Sequence, residues 1–347
     1  MGWKEVVVMV LVSAAFAVGN VMVKKAIDGG MNHLVLIMFR QLVATLLMAP
    51  VAYVRERKAV LKLTTAIVMH IFLSALLGVS LTQYLFYLGL QCTSTTFACA
   101  FLNMVPVMTF LIALPFRLER VDLKIKSGKM KILGATVCVA GAMLLTLYKG
   151  TALTSPPDNF KSSQQQEESI NHIRTWKWVL GSVALFGACF CWSSWFLVQS
   201  KILKIYPALY TSTAVMFFQS FLQVLVLSLI TQRGASVWLF RSKMEVATVL
   251  YMGLLGSGIC LLASSWCIKQ KGPVFTAAFN PLTQIIVGVI DLYILSEPLH
   301  LGSLLGSVLV IAGLYILLWG KNKETQVIEA KQIEGVGRTI KESIQAV

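Results

Sequence analysis

The chain has 347 residues, 57% of them hydrophobic and only 13% charged, with a mean hydropathy of +0.75. A globular chain carries about 25% charged residues, so this composition excludes a soluble enzyme, a secreted disulfide scaffold and a disordered chain, and leaves a polytopic membrane protein. The net charge of +15 then reads as cytoplasmic loops rich in Lys and Arg, not as a nucleic-acid surface.

Ten apolar segments approach the ~20 residues that a bilayer demands. They run at 5–27, 33–54, 67–90, 95–116, 130–148, 177–200, 207–230, 247–269, 273–295 and 301–319. Segments three and four are separated only by Gln91–Ser94, and segments eight and nine by Lys269–Pro273, so each break reads as a tight hairpin. The first apolar run is too long for the core of a signal peptide. Placing the N-terminus in the cytosol puts most of the 30 Lys and Arg on that side. Ten spans then return the C-terminus to the same side. Residues 151–176, with Pro156, Pro157 and a Gln-rich run, read as a polar non-cytoplasmic linker, and 321–347 as a cytoplasmic tail.

The seven Cys lie in or beside apolar runs without a CxxC pair, and read as small buried residues. The four His are scattered, and no HExxH motif, Cys/His cluster or P-loop occurs. Neither a catalytic constellation nor a metal or organic cofactor is expected.

The sequence repeats itself. Shifted by 178 residues, Leu76-Leu77-Gly78 falls on Leu254-Leu255-Gly256; Phe97, Ala100 and Phe101 fall on Phe275, Ala278 and Phe279; Glu119 falls on Glu297. At a shift of 172, Gly134, Gly141 and Lys149 fall on Gly306, Gly313 and Lys321. The repeats are 1–150 and 177–320. Because five spans is an odd number, the second copy enters the membrane from the opposite side. Inverted repeats of this kind build secondary transporters with a substrate site near the midplane.

The residues Gly89-Leu90, Thr93-Ser94-Thr95-Thr96-Phe97-Ala98, Asn103-Met104-Val105-Pro106 and Arg117-Leu118-Glu119 resemble the drug/metabolite transporter superfamily. Gly272-Pro273-Val274-Phe275, Phe279-Asn280-Pro281-Leu282 and Glu297-Pro298-Leu299-His300-Leu301-Gly302-Ser303 resemble its plant branch, the nodulin-like EamA family, also called walls-are-thin-related or UMAMIT proteins. The resemblance spans about residues 5–320. It implies an all-α membrane protein of ten helices, a carrier rather than an enzyme, in the plasma membrane or tonoplast. Members with known substrates mostly move amino acids, and some move auxin. It also implies a cavity lined by helices one, three, four, six, eight and nine.

Polar residues inside apolar segments are costly and therefore mark candidate sites. Asn20 and Lys24 share a face of segment one and suit a carboxylate, although Lys24 also reads as a snorkelling interface lysine. Gln83 and Tyr87 share a face of segment three, where the family often has Asn at the position of Tyr84. Segment four offers Thr96, Asn103 and Pro106; segment nine offers Asn280, Pro281 and Gln284. Each proline also reads as a plain structural kink. Trp192, Gln199 and Trp266 are candidate lining residues, with ordinary packing as the other reading. Arg40 and Asp291 lie at matching depth from one face, which makes them a candidate gate or proton-sensitive pair. Glu119 and Glu297 read as structural residues at corresponding helix ends. The resulting expectation is a carrier of neutral amino acids such as glutamine. An auxin-like indole acid is the second substrate class, and a receptor or scaffold the rival function. Protons and a second copy of the chain are open as partners, beside the solute and the lipid bilayer.

Overall fold

The computed structural model describes residues 3–60, 63–93, 97–98, 101, 104–115, 126–147, 167–232 and 235–294, with 305–306, 308–309, 311–313, 315–316, 319–320 and 323 beyond them. Regular structure among the described residues is helical throughout. In chain order the helices are α1 (Trp3–Asp28), α2 (His33–Val60), α3 (Thr65–Cys92), α4 (Val105–Ala113), α5 (Lys126–Leu147), α6 (Glu167–Ile205), α7 (Leu209–Thr231), α8 (Lys243–Lys271), α9 (Pro273–Ala277) and α10 (Asn280–Ile294). Helices are the open-ended structure that satisfies every backbone group inside lipid.

Seven stretches are long and apolar enough to cross a membrane: α1, His33–Arg57, α3, Trp176–Ile205, α7, α8 and Pro273–Ile290. They coincide with expected segments one, two, three, six, seven, eight and nine. Expected segments four, five and ten appear as α4, α5 and short helical pieces between 305 and 320, interrupted by residues outside the described set. Helix α6 starts at Glu167, so helical backbone extends into the stretch read above as linker.

Two of the spanning helices contain wide π-type turns, at Leu76–Leu81 in α3 and Met252–Leu261 in α8. The two turns overlap when the halves are superposed at the 178-residue shift. In α3 the Thr82 hydroxyl donates to the carbonyl of Leu77, five residues back, which satisfies a group that the widened turn would leave bare. Gly78 sits inside this turn because the Trp195 indole lies against it. A Cβ there would stand 2.0 Å from Trp195 Cδ1.

Expected segment nine is broken in two. Gly272 takes φ +86, which favours glycine, and Pro273 then starts α9. After Ala277 the chain turns, and α10 begins at Asn280 with Pro281 in its first turn. The carbonyl of Phe279 at the break accepts a hydrogen bond from Ser13 Oγ of α1 at 3.2 Å. The expected kink at Pro281 is thus an interruption held by a neighbouring helix. Pro106 occupies the first turn of α4, where its missing N–H costs nothing.

Packing follows the repeat. Helix α2 runs along α7, α3 along α6, and α1 along α8 and α10. Exchanging the two copies carries the α3–α6 pair onto α8–α1 and α2–α7 onto itself. Gly313, from the tenth segment, closes on Cys138 of α5. The largest core cluster joins Trp195, Phe196, Phe217, Ile71 and Met216 from α3, α6 and α7. Apolar side chains such as Phe186, Phe190, Leu229 and Ile230 face outward, as lipid contact demands. The N-terminus of α7 is capped in tertiary fashion. At Glu56 the backbone leaves the helical region (φ −131, ψ 33), and its Oε2 accepts the Thr211 N–H at 2.8 Å.

Candidate functional site

A cavity of about 90 Å³ lies between α1, α2, α3, α6, α8 and α10. Its wall joins Asn20 of α1, Arg40 of α2, Gln83 and Tyr87 of α3, Trp192 of α6 and Asn280 of α10. Phe16, Thr82, Phe86, Ala188, Met252, Leu261 and Thr283 also line it. Among the described residues the wall is mostly apolar and aromatic with a few convergent amides and one cation, the usual make-up of a small-molecule site.

The cation is fixed. Arg40 is 3% exposed; its Nη1 donates to Tyr87 Oη at 2.6 Å and its Nε to Ser257 Oγ at 2.7 Å. Its neighbour Gln41 is fully buried and donates through Nε2 to Gln83 Oε1 at 3.0 Å and to Ser257 Oγ at 3.4 Å. Two adjacent residues of α2 thus tie α3 to the wide turn of α8. An ion pair between described side chains joins Lys24 and Asp28, and the described partners of Arg40 are neutral hydroxyls.

A second polar link lies deeper toward the opposite end of the helices. Ser74 Oγ of α3 donates to Gln199 Oε1 of α6 at 3.1 Å, and Gln199 Nε2 donates to Ser265 Oγ of α8 at 3.1 Å. Gln199 is 2% exposed and does not line the cavity. Trp192 of the wall stacks on Trp195 with ring centres 4.7 Å apart, and Phe196 packs edge-on against Trp192. A separate and more polar cavity of about 250 Å³ opens at the α1–α2 turn, between His33, Gln91, Arg241 and Glu245.

The EamA-like transporter family matches this chain twice, over residues 3–147 and 179–319. The chain belongs to the EamA-like transporter family. Among its relatives, the Arabidopsis thaliana WAT1-related protein At3g30340 is 44% identical over 346 residues, covering 98% of this chain and 95% of that one. WAT1-related protein At4g01440 of the same plant is 43% identical, covering 92% of this chain and 87% of the relative. Protein WALLS ARE THIN 1, also of Arabidopsis thaliana, is 35% identical, covering 92% and 83%. A solved structure described only as the crystal structure of a protein shares the fold with a TM-score of 0.61 at 12% identity. It covers 92% of this chain and 98% of that one. The chain is thus a WAT1-related EamA protein, an integral multi-pass membrane protein of a transporter family.

Of the EamA candidates singled out from sequence, the structure brings Asn20, Arg40, Gln83, Tyr87, Trp192 and Asn280 to one cavity. Lys24 goes elsewhere. Its ammonium donates to the carbonyls of Leu90 at 2.9 Å and Thr93 at 3.1 Å and pairs with Asp28 at 3.3 Å. It tethers α1 to the end of α3. Gln199 belongs to the deeper link, and Trp266 packs into the core clusters of α1, α6 and α8. Thr96, Asn103, Glu119 and Glu297 lie outside the described residues, as do the side chains of Gln284 and Asp291. The proposed Arg40–Asp291 contact therefore has only its Arg40 side described. The resemblance implied no lining role for helix two, whereas α2 supplies Arg40 to the wall. Sequence reading also missed Gln41 and Ser257. A serine in an apolar helix carries little signal by itself, but Gln41 next to an intramembrane arginine was a legible one.

Proposed function

We propose that the chain is a secondary carrier that moves amino acids, glutamine and other neutral ones first, through the central cavity by alternating access. In this reading ten helices form two inverted five-helix repeats, with both termini in the cytosol of a plasma-membrane or tonoplast protein. The single observation that carries it is the cavity between the two family-matched copies, with Asn20, Gln83 and Asn280 set among Phe16, Phe86 and Trp192. Amides offer paired donors and acceptors to a polar solute, and the aromatic wall gives apolar contact. Thr96, Asn103 and Gln284 join the site in this reading through their places in the fourth and ninth segments. The aromatic surroundings also favour a second reading, an indole acid such as auxin.

Counterflow in proteoliposomes tests it. Vesicles preloaded with unlabelled glutamine should transiently accumulate labelled glutamine, and Gln83→Ala should reduce that several-fold. Accumulation of labelled indole-3-acetate alone, in vesicles preloaded with the same acid, would replace the first reading by the second. Folded protein that accumulates neither would remove both substrate assignments and favour a receptor or scaffold.

A further inference from the structure

Arg40 is the feature that the amides and aromatic rings of the cavity leave unexplained. A guanidinium stays charged at all accessible pH values, and a buried charge is costly unless it is paired. Here the residue is 3% exposed, yet its two described partners, Tyr87 Oη and Ser257 Oγ, are neutral. They hold the plane of the guanidinium without cancelling its charge. No carboxylate appears among the described residues of the cavity wall. The second terminal nitrogen, Nη2, lies beside Gly256, where a Cβ would come within 3.4 Å of it. An independent observation points the same way. Asn280 Nδ2 is buried without a hydrogen-bond partner among the described residues, and Asn280 lines the same cavity.

We propose that Arg40, oriented by Tyr87 and Ser257 and assisted by Asn280, is the anchor for a carboxylate, so that the carrier selects monocarboxylate solutes over their neutral amides. This rests on the carrier reading and names the group that its substrates must share. The planar fork of arginine matches a carboxylate in two parallel hydrogen bonds. One cation among the described residues of a cavity of about 90 Å³ suits a single negative charge, and a phosphate dianion would remain half-compensated. Tyr87 and Ser257 act as positioning residues through the guanidinium.

The test uses the purified full chain and matched acid–amide pairs, each an anion beside its neutral amide: acetate and acetamide, N-acetylglutamine and N-acetylglutaminamide, indole-3-acetate and indole-3-acetamide. Thermal unfolding is read first. Acids should raise the unfolding temperature of the wild type and amides should not. Arg40→Gln should erase the difference, and Arg40→Lys should keep part of it. Tyr87→Phe and Ser257→Ala are near-isosteric changes that keep the charge in place. Each should weaken the preference without abolishing it. In proteoliposomes the wild type should take up the acid of a transported pair about tenfold faster than the amide, as one charge-assisted contact implies, with the ratio near one in Arg40→Gln.

Equal stabilisation by acids and amides, or a preference unchanged in Arg40→Gln, overturns the proposal. Equal protection by chloride or inorganic phosphate also overturns it and makes the site a general anion site. So does rescue of two inactive single variants by the Arg40→Asp, Asp291→Arg exchange, because Arg40 would then serve an ion pair. Stabilisation by acids that depends on Arg40, in protein that transports none of the probes, would sink the carrier reading and leave the anchor standing.

Discussion

At the residue scale, the partners of a polar side chain decide its role, and neighbours in sequence can differ. Asn20 and Lys24 share a face of one helix, yet Asn20 lines the cavity while Lys24 spends its donors on Leu90, Thr93 and Asp28. Replacing Lys24 by Met should therefore lower the unfolding temperature and leave any preference for acids over amides as it is. A changed preference would return Lys24 to the binding set. Glu56 gives a second residue-scale prediction. Its carboxylate caps α7 from another helix, so Glu56→Ala should cost about 0.5–2 kcal/mol, the usual value of a helix cap, read by thermal or denaturant unfolding. The candidate site was legible as far as intrusion goes. Arg40, Gln83 and Asn280 stand out because polar groups are rare in apolar segments. Which of them meet was not legible, since that depends on how far each helix is rotated. Lys24 and Gln199 were read as lining residues for that reason.

At the element scale, the two wide turns and the broken α9–α10 segment are what a hydropathy pattern misses. Apolar periodicity locates a span but is blind to one carbonyl accepting from five residues ahead. The Leu76–Leu81 turn depends on Gly78, against which Trp195 is packed with no exposure at all. Gly78→Ala should cost about 1–3 kcal/mol by overpacking, and Trp195→Leu in the same background should recover part of the loss. Additive losses in the double variant would show that the two do not meet. Gln199 joins three helices through Ser74 and Ser265. Gln199→Leu removes the partner of the Ser265 hydroxyl and leaves the Ser74 hydroxyl only Met216 Sδ at 3.5 Å, at a cost of about 1–3 kcal/mol. Its effect should appear as lowered stability, with the acid-over-amide preference kept, because Gln199 lies outside the cavity wall.

At the scale of the whole molecule, the sequence was most informative. Composition alone demanded a membrane protein, and the long-range shift revealed two copies that the family match at 3–147 and 179–319 bears out. The helix pairing, which maps onto itself when the copies are exchanged, is the three-dimensional form of that shift. Tags at the N- and C-termini should be reached by a protease from the same side of a sealed membrane, as the Lys and Arg bias predicts. Accessibility from opposite sides would rule out an even number of spans. The cavity itself was not legible, because it forms where segments far apart in sequence cross, and only the fold sets that crossing.

The wide turns bear on how the chain tolerates changes of length. A hydrogen bond that spans five residues instead of four accommodates one residue more than an ordinary helical loop. The shift of 178 holds on both sides of these turns, at the helix N-caps Thr64 and Ser242 before them and at Phe97–Phe101 and Phe275–Phe279 after them. Any surplus residue in one copy is therefore matched in the other, or in the loop that follows it. Removing one residue inside Leu76–Leu81 offers the helix a way to close into regular α geometry, whereas the same deletion in the preceding turns of α3 must rotate every later side chain by about 100°. The wide turn is thus a built-in reserve of chain, and a deletion scan along α3 would find its most forgiving point there.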